Sequence, residues 1–268
     1  MIKLLPEIAA NLIANAIFWL LIGGIAWLTY RLTLQRKFES LFGFKNEKTL
    51  VIYLSNLWDP TMNVRPWGEI IVGNELHAAS EIQGVITGLA PRFPALVRGL
   101  AEEWFLKDKF RMTIQVSPRE ECIPSHNMIV IGATTKNSVR RCLLQEKKVL
   151  VRISGESTHP PISIHHNPLG HEFIVSRHNG DETHEVSEGL SPAIVERVMV
   201  GDGLDPNRQR VAFMCVGRTG FETRRATEYL AQKWHDFERT FKHNNHFARC
   251  LAIDRNGIVV HHFDVISE

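Results

Sequence analysis

Apolar positions fall into three regimes along the chain. Residues 8–30 (IAANLIANAIFWLLIGGIAWLTY) run for 23 positions without a charge, enough as an α-helix to cross a hydrocarbon core of about 30 Å. From residue 49, near-continuous apolar runs, 49–56 (TLVIYLSN) and 127–133 (NMIVIGA), read as parallel strands buried on both faces. Between them the pattern turns helical: Leu76, Ala79, Ile82, Gln83 and Ile86 follow three- and four-residue spacing, predicting a helix that starts near Glu75. A second helix is expected over 94–105 and an alternating strand over 110–117. Polar side chains in TTKNS precede a short helix over 138–145. The third regime is a β-rich middle, with short runs at 149–153, 162–165, 172–177 and 194–200 separated by Gly, Pro and Asn/Asp, as in a meander. The chain then returns to strand, turn and helix over 210–241. It ends in a hairpin pattern, in which Asn256-Gly257 accepts the positive backbone angles of a tight turn.

Strand and helix units at both ends of a β-rich middle predict an α/β fold. The expected form is a Rossmann-like sheet with an inserted β-rich layer, preceded by one transmembrane α-helix. The expected division is a transmembrane anchor over 1–31, a juxtamembrane linker over 32–48 and a cytoplasmic α/β domain over 49–268. A cleaved secretory signal is the competing reading of the first segment, because Lys3 gives a basic start and Gly24-Ile25-Ala26 resembles a small-x-small site. The apolar stretch exceeds the roughly 7 to 15 residues of a signal core, and Trp19, Trp27 and Tyr30 suit a membrane interface. Arg31, Arg36 and Lys37 follow the span closely, which places the C-terminal body on the cytoplasmic side of the inner (plasma) membrane.

Charge and cysteine content narrow the function. Residues 1–44 hold four basic and two acidic residues, so the remainder carries 27 of each sign, and bulk nucleic-acid binding is not expected. The four cysteines, Cys122, Cys142, Cys215 and Cys250, form no CxxC pair and no zinc-ligand spacing; they read as reduced thiols in or near the core. Six histidines, His159, His165, His166, His171, His178 and His184, crowd the middle without a HExxH-type pattern, so no metal site is expected. No cofactor signature is present.

Two strand-to-helix turns carry the candidate chemistry. In VAFMCVGRTGFETRRATEYL, residues 211–230, the VGRTG turn resembles the phosphate-binding loop of tyrosine phosphatases, whose chemistry needs the pattern C-x5-R. Six positions before Arg218 stands Ala212, and Cys215 is only three before it, so the nucleophile is out of register. What remains is a helix start whose amides suit an anion, with Gly217, Arg218, Thr219 and Thr223 as ligand-binding candidates and Arg224 and Arg225 adding positive charge. The competing reading is that the glycines only allow the turn, Thr219 or Thr223 caps the helix, and the arginines pair with Glu222 and Glu228. The second turn, IVIGATTKNSVRR, offers Gly132, Thr134, Lys136 and Asn137 ahead of Arg140 and Arg141. If both strands are parallel neighbours, the two turns face one crevice. Glu75, at the start of its helix, is the candidate catalytic carboxylate for cleaving an N-glycosidic bond; its structural alternative is complementing the helix dipole. Within the span, Asn11 and Asn15 share a helix face, with Ala10, Ala14, Gly23 and Gly24 nearby, which suits self-association.

Asn127, Ile129, Ile131, Gly132 and Asn137, followed by Gly217, Thr223, Ala226 and Leu230, resemble a group of uncharacterised prokaryotic α/β proteins with an N-x-I-x-I-G-G-x-x-x-N turn and a G-T-x-A-A-x-x-L helix. Ala133 and Glu222 depart from that pattern. The resemblance implies a Rossmann-like module akin to nucleotide-sensing or nucleotide-processing domains of bacterial signalling and defence systems. The leading expectation is a bilayer-anchored, oligomeric module that binds a nucleotide-derived small molecule. The alternatives are an anchored hydrolase of NAD or nucleosides using Glu75, and a structural scaffold without a ligand.

Overall fold

The computed structural model describes residues 4–44, 49–55, 73–89, 111–118, 123–132, 137–146, 148–156, 169–178, 180–201 and 209–267. In chain order the elements are α1 (Leu4–Phe42), β1 (Thr49–Leu54), α2 (Gly73–Leu89), β2 (Arg111–Val116), β3 (Asn127–Ile131), α3 (Ser138–Gln145), β4 (Val151–Ile153), β5 (Glu172–Arg177), β6 (Gly180–Glu185), β7 (Ser191–Val200), β8 (Arg210–Gly217), α4 (Gly220–Thr240), β9 (Phe247–Ile253) and β10 (Val259–Ile266). Seven strands form one mixed sheet in the order β10-β9-β7-β8-β3-β1-β2, and β4-β5-β6 form a separate three-stranded sheet. In the large sheet β2, β1, β3 and β8 run parallel, while β7, β9 and β10 are antiparallel additions. The expected hairpin closes the chain: Asp254 accepts the N–H groups of Asn256 and Ile258 at 2.9 and 2.8 Å, and Gly257 has φ +81°. The expected helix over 94–105 and strand over 162–165 lie outside the described residues.

The period-2 alternation of each central strand sorts its side chains onto two cores. Leu50, Ile52, Leu54, Ile129, Ile131, Phe213 and Cys215 face α2, α4 and the last turns of α1. Val51, Tyr53, Met128, Val130, Ala212 and Met214 face α3 and the small sheet. The molecule is therefore three layers deep, and the central parallel strands β1, β3 and β8 are apolar on both sides for that reason, whereas the edge strand β2 alternates.

The first helix passes the boundary expected at residue 31 without a break and continues to Phe42. It stops because Gly43 adopts φ +80° and the Phe44 N–H reaches back to the Glu39 carbonyl at 2.9 Å, a Schellman-type end. A β-carbon at Gly43 would lie 2.6 Å from Val211 Cγ2. Residues 32–42 form a docked helix end: Phe38, Leu41 and Phe42 are buried, Phe38 stacks on Phe42 and meets Trp234 edge-on. Arg197 Nε donates to the Leu41 carbonyl at 2.9 Å. Upstream, Ile17, Trp19, Leu20, Ile25 and Tyr30 are exposed on all sides. Thr29 and Thr33 fold their hydroxyls back onto the carbonyls four residues earlier, each at 2.8 Å, hiding those polar groups within the helix. Among the described residues α1 is the one helix long and apolar enough to cross a membrane.

Candidate functional site at the carboxyl ends of the parallel strands

β1 has β2 on one side and β3 on the other, so the connections leaving the carboxyl ends of β1 and β3 diverge there, the place where open α/β sheets bind ligands. Three residues meet at that edge. Ser55 follows β1, Gly132 follows β3 and Glu75 sits in the first turn of α2. The Ser55 N–H donates to Glu75 Oε2 at 2.7 Å. Gly132 has φ +117°, and a β-carbon there would lie 2.0 Å from Ser55 Oγ and 2.9 Å from Glu75 Oε1, so glycine is required both by backbone angle and by space. Glu75 is 3% exposed, so the first turn of α2 holds its carboxylate inside the corner formed with Ser55 and Gly132.

Asn137 closes the same corner from the other face. Its side chain caps α3 by accepting the Arg140 N–H at 3.2 Å and donates to the carbonyls of Ile131 at 3.1 Å and Tyr53 at 3.4 Å, tying the ends of β1 and β3 together. Thr134 and Lys136 lie outside the described residues. Arg140 does not join that corner. It is fully buried on the far side of the sheet, with Nη2 at 3.1 Å from Glu156 and Nη1 at 3.2 Å from Glu196, and it donates to the Val151 carbonyl at 3.0 Å. Glu196 also accepts the Leu150 N–H. One cation faces two carboxylates there, and burial pushes the Glu196 carboxyl from 4.5 up to about 7, with Arg140 opposing the rise.

The condition on the two turns is met. β3 and β8 are parallel neighbours, and the Gly132 N–H donates to the Cys215 carbonyl at 3.0 Å, which brings Gly132 and Gly217 to one edge. The second turn, however, is closed on itself. A β-carbon at Gly217 would stand 2.3 Å from the Thr223 nitrogen, because α4 starts directly against the strand end. Thr219 caps that helix through the Phe221 N–H at 3.1 Å, Glu222 accepts the Thr219 N–H at 2.9 Å, and the pair forms a capping box. Thr223 Oγ1 accepts the Gly217 N–H at 3.0 Å. The Glu222 carboxylate occupies the helix start where an anion would sit. Arg218 donates to the Leu169 carbonyl at 2.9 Å, while Arg224 and Arg225 each pair with Glu228 at 2.6 Å. Cys215 is fully buried and its thiol is pushed up to about 12 by that burial, so it is no nucleophile.

Sequence reasoning did not single out Ser55 or Ser117, the residue that follows β2 at the same edge; a serine ending an apolar run was the available signal. A cavity of about 310 Å³ opens at the opposite, amino edge of the sheet beside Lys148, Val200 and Arg210, away from the Ser55–Glu75–Gly132 corner. No group of histidine, cysteine or acidic side chains suited to a metal ion occurs among the described residues. Comparison with known proteins gives no match to a protein-family model, to a curated protein or to a solved structure.

Proposed function

We propose that the chain is a single-span membrane protein whose Rossmann-like body, with the small sheet as an inserted layer, lies on the cytoplasmic side of the plasma membrane. There it binds a nucleotide-derived ligand at the crevice between β1 and β3, within a homo-oligomer. The observation that carries this reading is the placement of Glu75. Its carboxylate is fixed at the point where the strand order diverges, the position that binds ligands in open α/β sheets. The helix that carries it buries Ala78, Ala79, Ile82 and Ile86 in the same core as Phe38, Leu41 and Phe42 of α1. A ligand that moves α2 therefore acts directly on the anchor helix, which suits a sensing or effector module. The resemblance to uncharacterised prokaryotic α/β proteins, which implies a module akin to nucleotide-sensing or nucleotide-processing domains, points the same way. Arg36 and Lys37 beyond the apolar stretch support the cytoplasmic side.

The buried carboxylate also favours a second reading, a hydrolase that cleaves N-glycosidic bonds with Glu75 as nucleophile or base. Full-length protein in lipid nanodiscs, incubated with NAD, nucleosides and mono-, di- and cyclic oligonucleotides, separates the readings. Thermal stabilisation without turnover supports a sensor. Turnover that disappears in Glu75→Gln establishes the hydrolase. A flat melting temperature across the whole panel sinks both and leaves a scaffold.

A further inference from the structure

We infer that the cavity at the amino edge of the large sheet is a second ligand site, one that takes a phosphate-type anion, whether free in solution or carried by a phospholipid headgroup. The cavity measures about 310 Å³, near the lower end of the range for small-molecule sites, and Lys148 and Arg210 line it together. Topology sets both cations there. Arg210 opens β8 opposite Val200, the last residue of β7, and the chain leaves α3 with the Lys148 N–H on the Leu143 carbonyl at 3.0 Å. Among the described residues the half-buried Lys148 ammonium enters no ion pair. Glu146 is the one acidic residue of the lining, and it is exposed.

Positive charge prevails around the cavity. Burial and then the Arg210 charge hold the His126 imidazole below its ordinary range; burial, Arg197 and Lys148 do the same to His246. Arg197 itself is bound by the carbonyls of Leu41, Asn244 and Asn245 and, among the described residues, by no carboxylate. Cations gathered at a partly enclosed cavity focus the field there and attract anions. Guanidinium and ammonium are the side-chain groups that bind phosphate oxygens best, the first as a fork and the second as a point charge. The same edge holds the end of the membrane helix: Val211, next to Arg210, lies against Gly43, and Asn127, next to His126, donates to the Gly43 carbonyl at 3.0 Å. For that reason a headgroup is tested beside the free anion.

Calorimetric titration of full-length protein in dodecyl maltoside, a detergent without phosphate, tests this with inorganic phosphate and with dihexanoyl phosphatidylglycerol. At least one of the two binds, and Lys148→Gln weakens it about tenfold or more, the equivalent of one charge-assisted hydrogen bond. Arg210→Gln repeats the loss. Lys242→Gln removes an exposed cation outside the cavity lining and leaves the affinity within about twofold. The melting temperature of Lys148→Gln without ligand stays within about 2 °C of the parent, which separates loss of the site from loss of the fold. Binding of inorganic phosphate, with or without the lipid, assigns the site to a soluble anion; binding of the lipid alone assigns it to a headgroup; either upholds the inference. Heat from neither probe, binding that survives Lys148→Gln, or equal losses in Lys148→Gln and Lys242→Gln overturns it. A silent nucleotide panel sinks the proposed function and leaves this site standing, since neither probe carries a nucleoside.

Discussion

The turns after β3 and after β8 begin alike, each with a glycine that ends a buried parallel strand, polar residues and then a helix, yet they are built to opposite ends. After β8 the helix start is closed locally: Thr219 and Glu222 cap the helix, Thr223 holds Gly217, and the strand end and helix start touch at backbone distance. After β3 the glycine makes room for side chains from elsewhere, Ser55 and Glu75, and the helix cap Asn137 reaches across to β1. A glycine whose missing β-carbon is filled by its own helix is a corner. One filled by a carboxylate from a distant helix joins separate elements at the sheet edge.

Four substitutions probe that difference. The largest loss is expected from Arg140→Met in the helix after the first turn, since it strands two buried carboxylates. Such breakage costs about 3–5 kcal/mol, readable by chemical denaturation. Gly217→Ala comes next, at about 3 kcal/mol, because the new methyl meets backbone atoms at 2.3 and 2.4 Å that have no rotamer to escape into. Thr219→Ala removes a cap and costs about 1 kcal/mol; ligand binding at the first turn should be unchanged, and a loss of it would mean that the two turns form one site after all. The last effect concerns pH. With its folded-state value near 7, above the ordinary 4.5, Glu196 keeps a proton in the folded chain that the unfolded chain releases. Its contribution to stability is therefore greatest below pH 4.5 and is lost as pH rises toward 7. The melting temperature of Glu196→Gln relative to the parent should accordingly climb between pH 5 and pH 8; a constant difference would show that Arg140 keeps Glu196 ionised throughout.

Elements whose burial follows a period were legible in the sequence: β1, α2, β3, α3, β8, α4 and the closing hairpin all stand where the apolar pattern set them. β6 was not, because GDETHE has no apolar residue and is fixed only by its ladder to β5. The docked end of α1 falls within the expected juxtamembrane linker, since Leu34, Phe38, Leu41 and Phe42 find their partners in Trp234 and Phe213, some 170 to 200 positions away. Charge misled at Arg140, whose acidic partners lie 16 and 56 residues further along. At the candidate site the positions of Glu75 and Gly132 were legible, but not that one packs on the other. Some residues that carry the resemblance serve the fold: Asn127 joins β3 to the Val211 N–H and the Gly43 carbonyl, and Ala226 and Leu230 are core.

The unbroken course of α1 fixes its azimuth. No hinge stands between Tyr30 and the buried Phe38, so every side chain along the exposed length points in a direction set by the docking of Phe38, Leu41 and Phe42. One alanine inserted after Tyr30 would turn all upstream residues by about 100° around the axis relative to the body, and four would nearly restore their bearing. The face on which Asn15 lies is thus phase-locked to the face that carries Glu75.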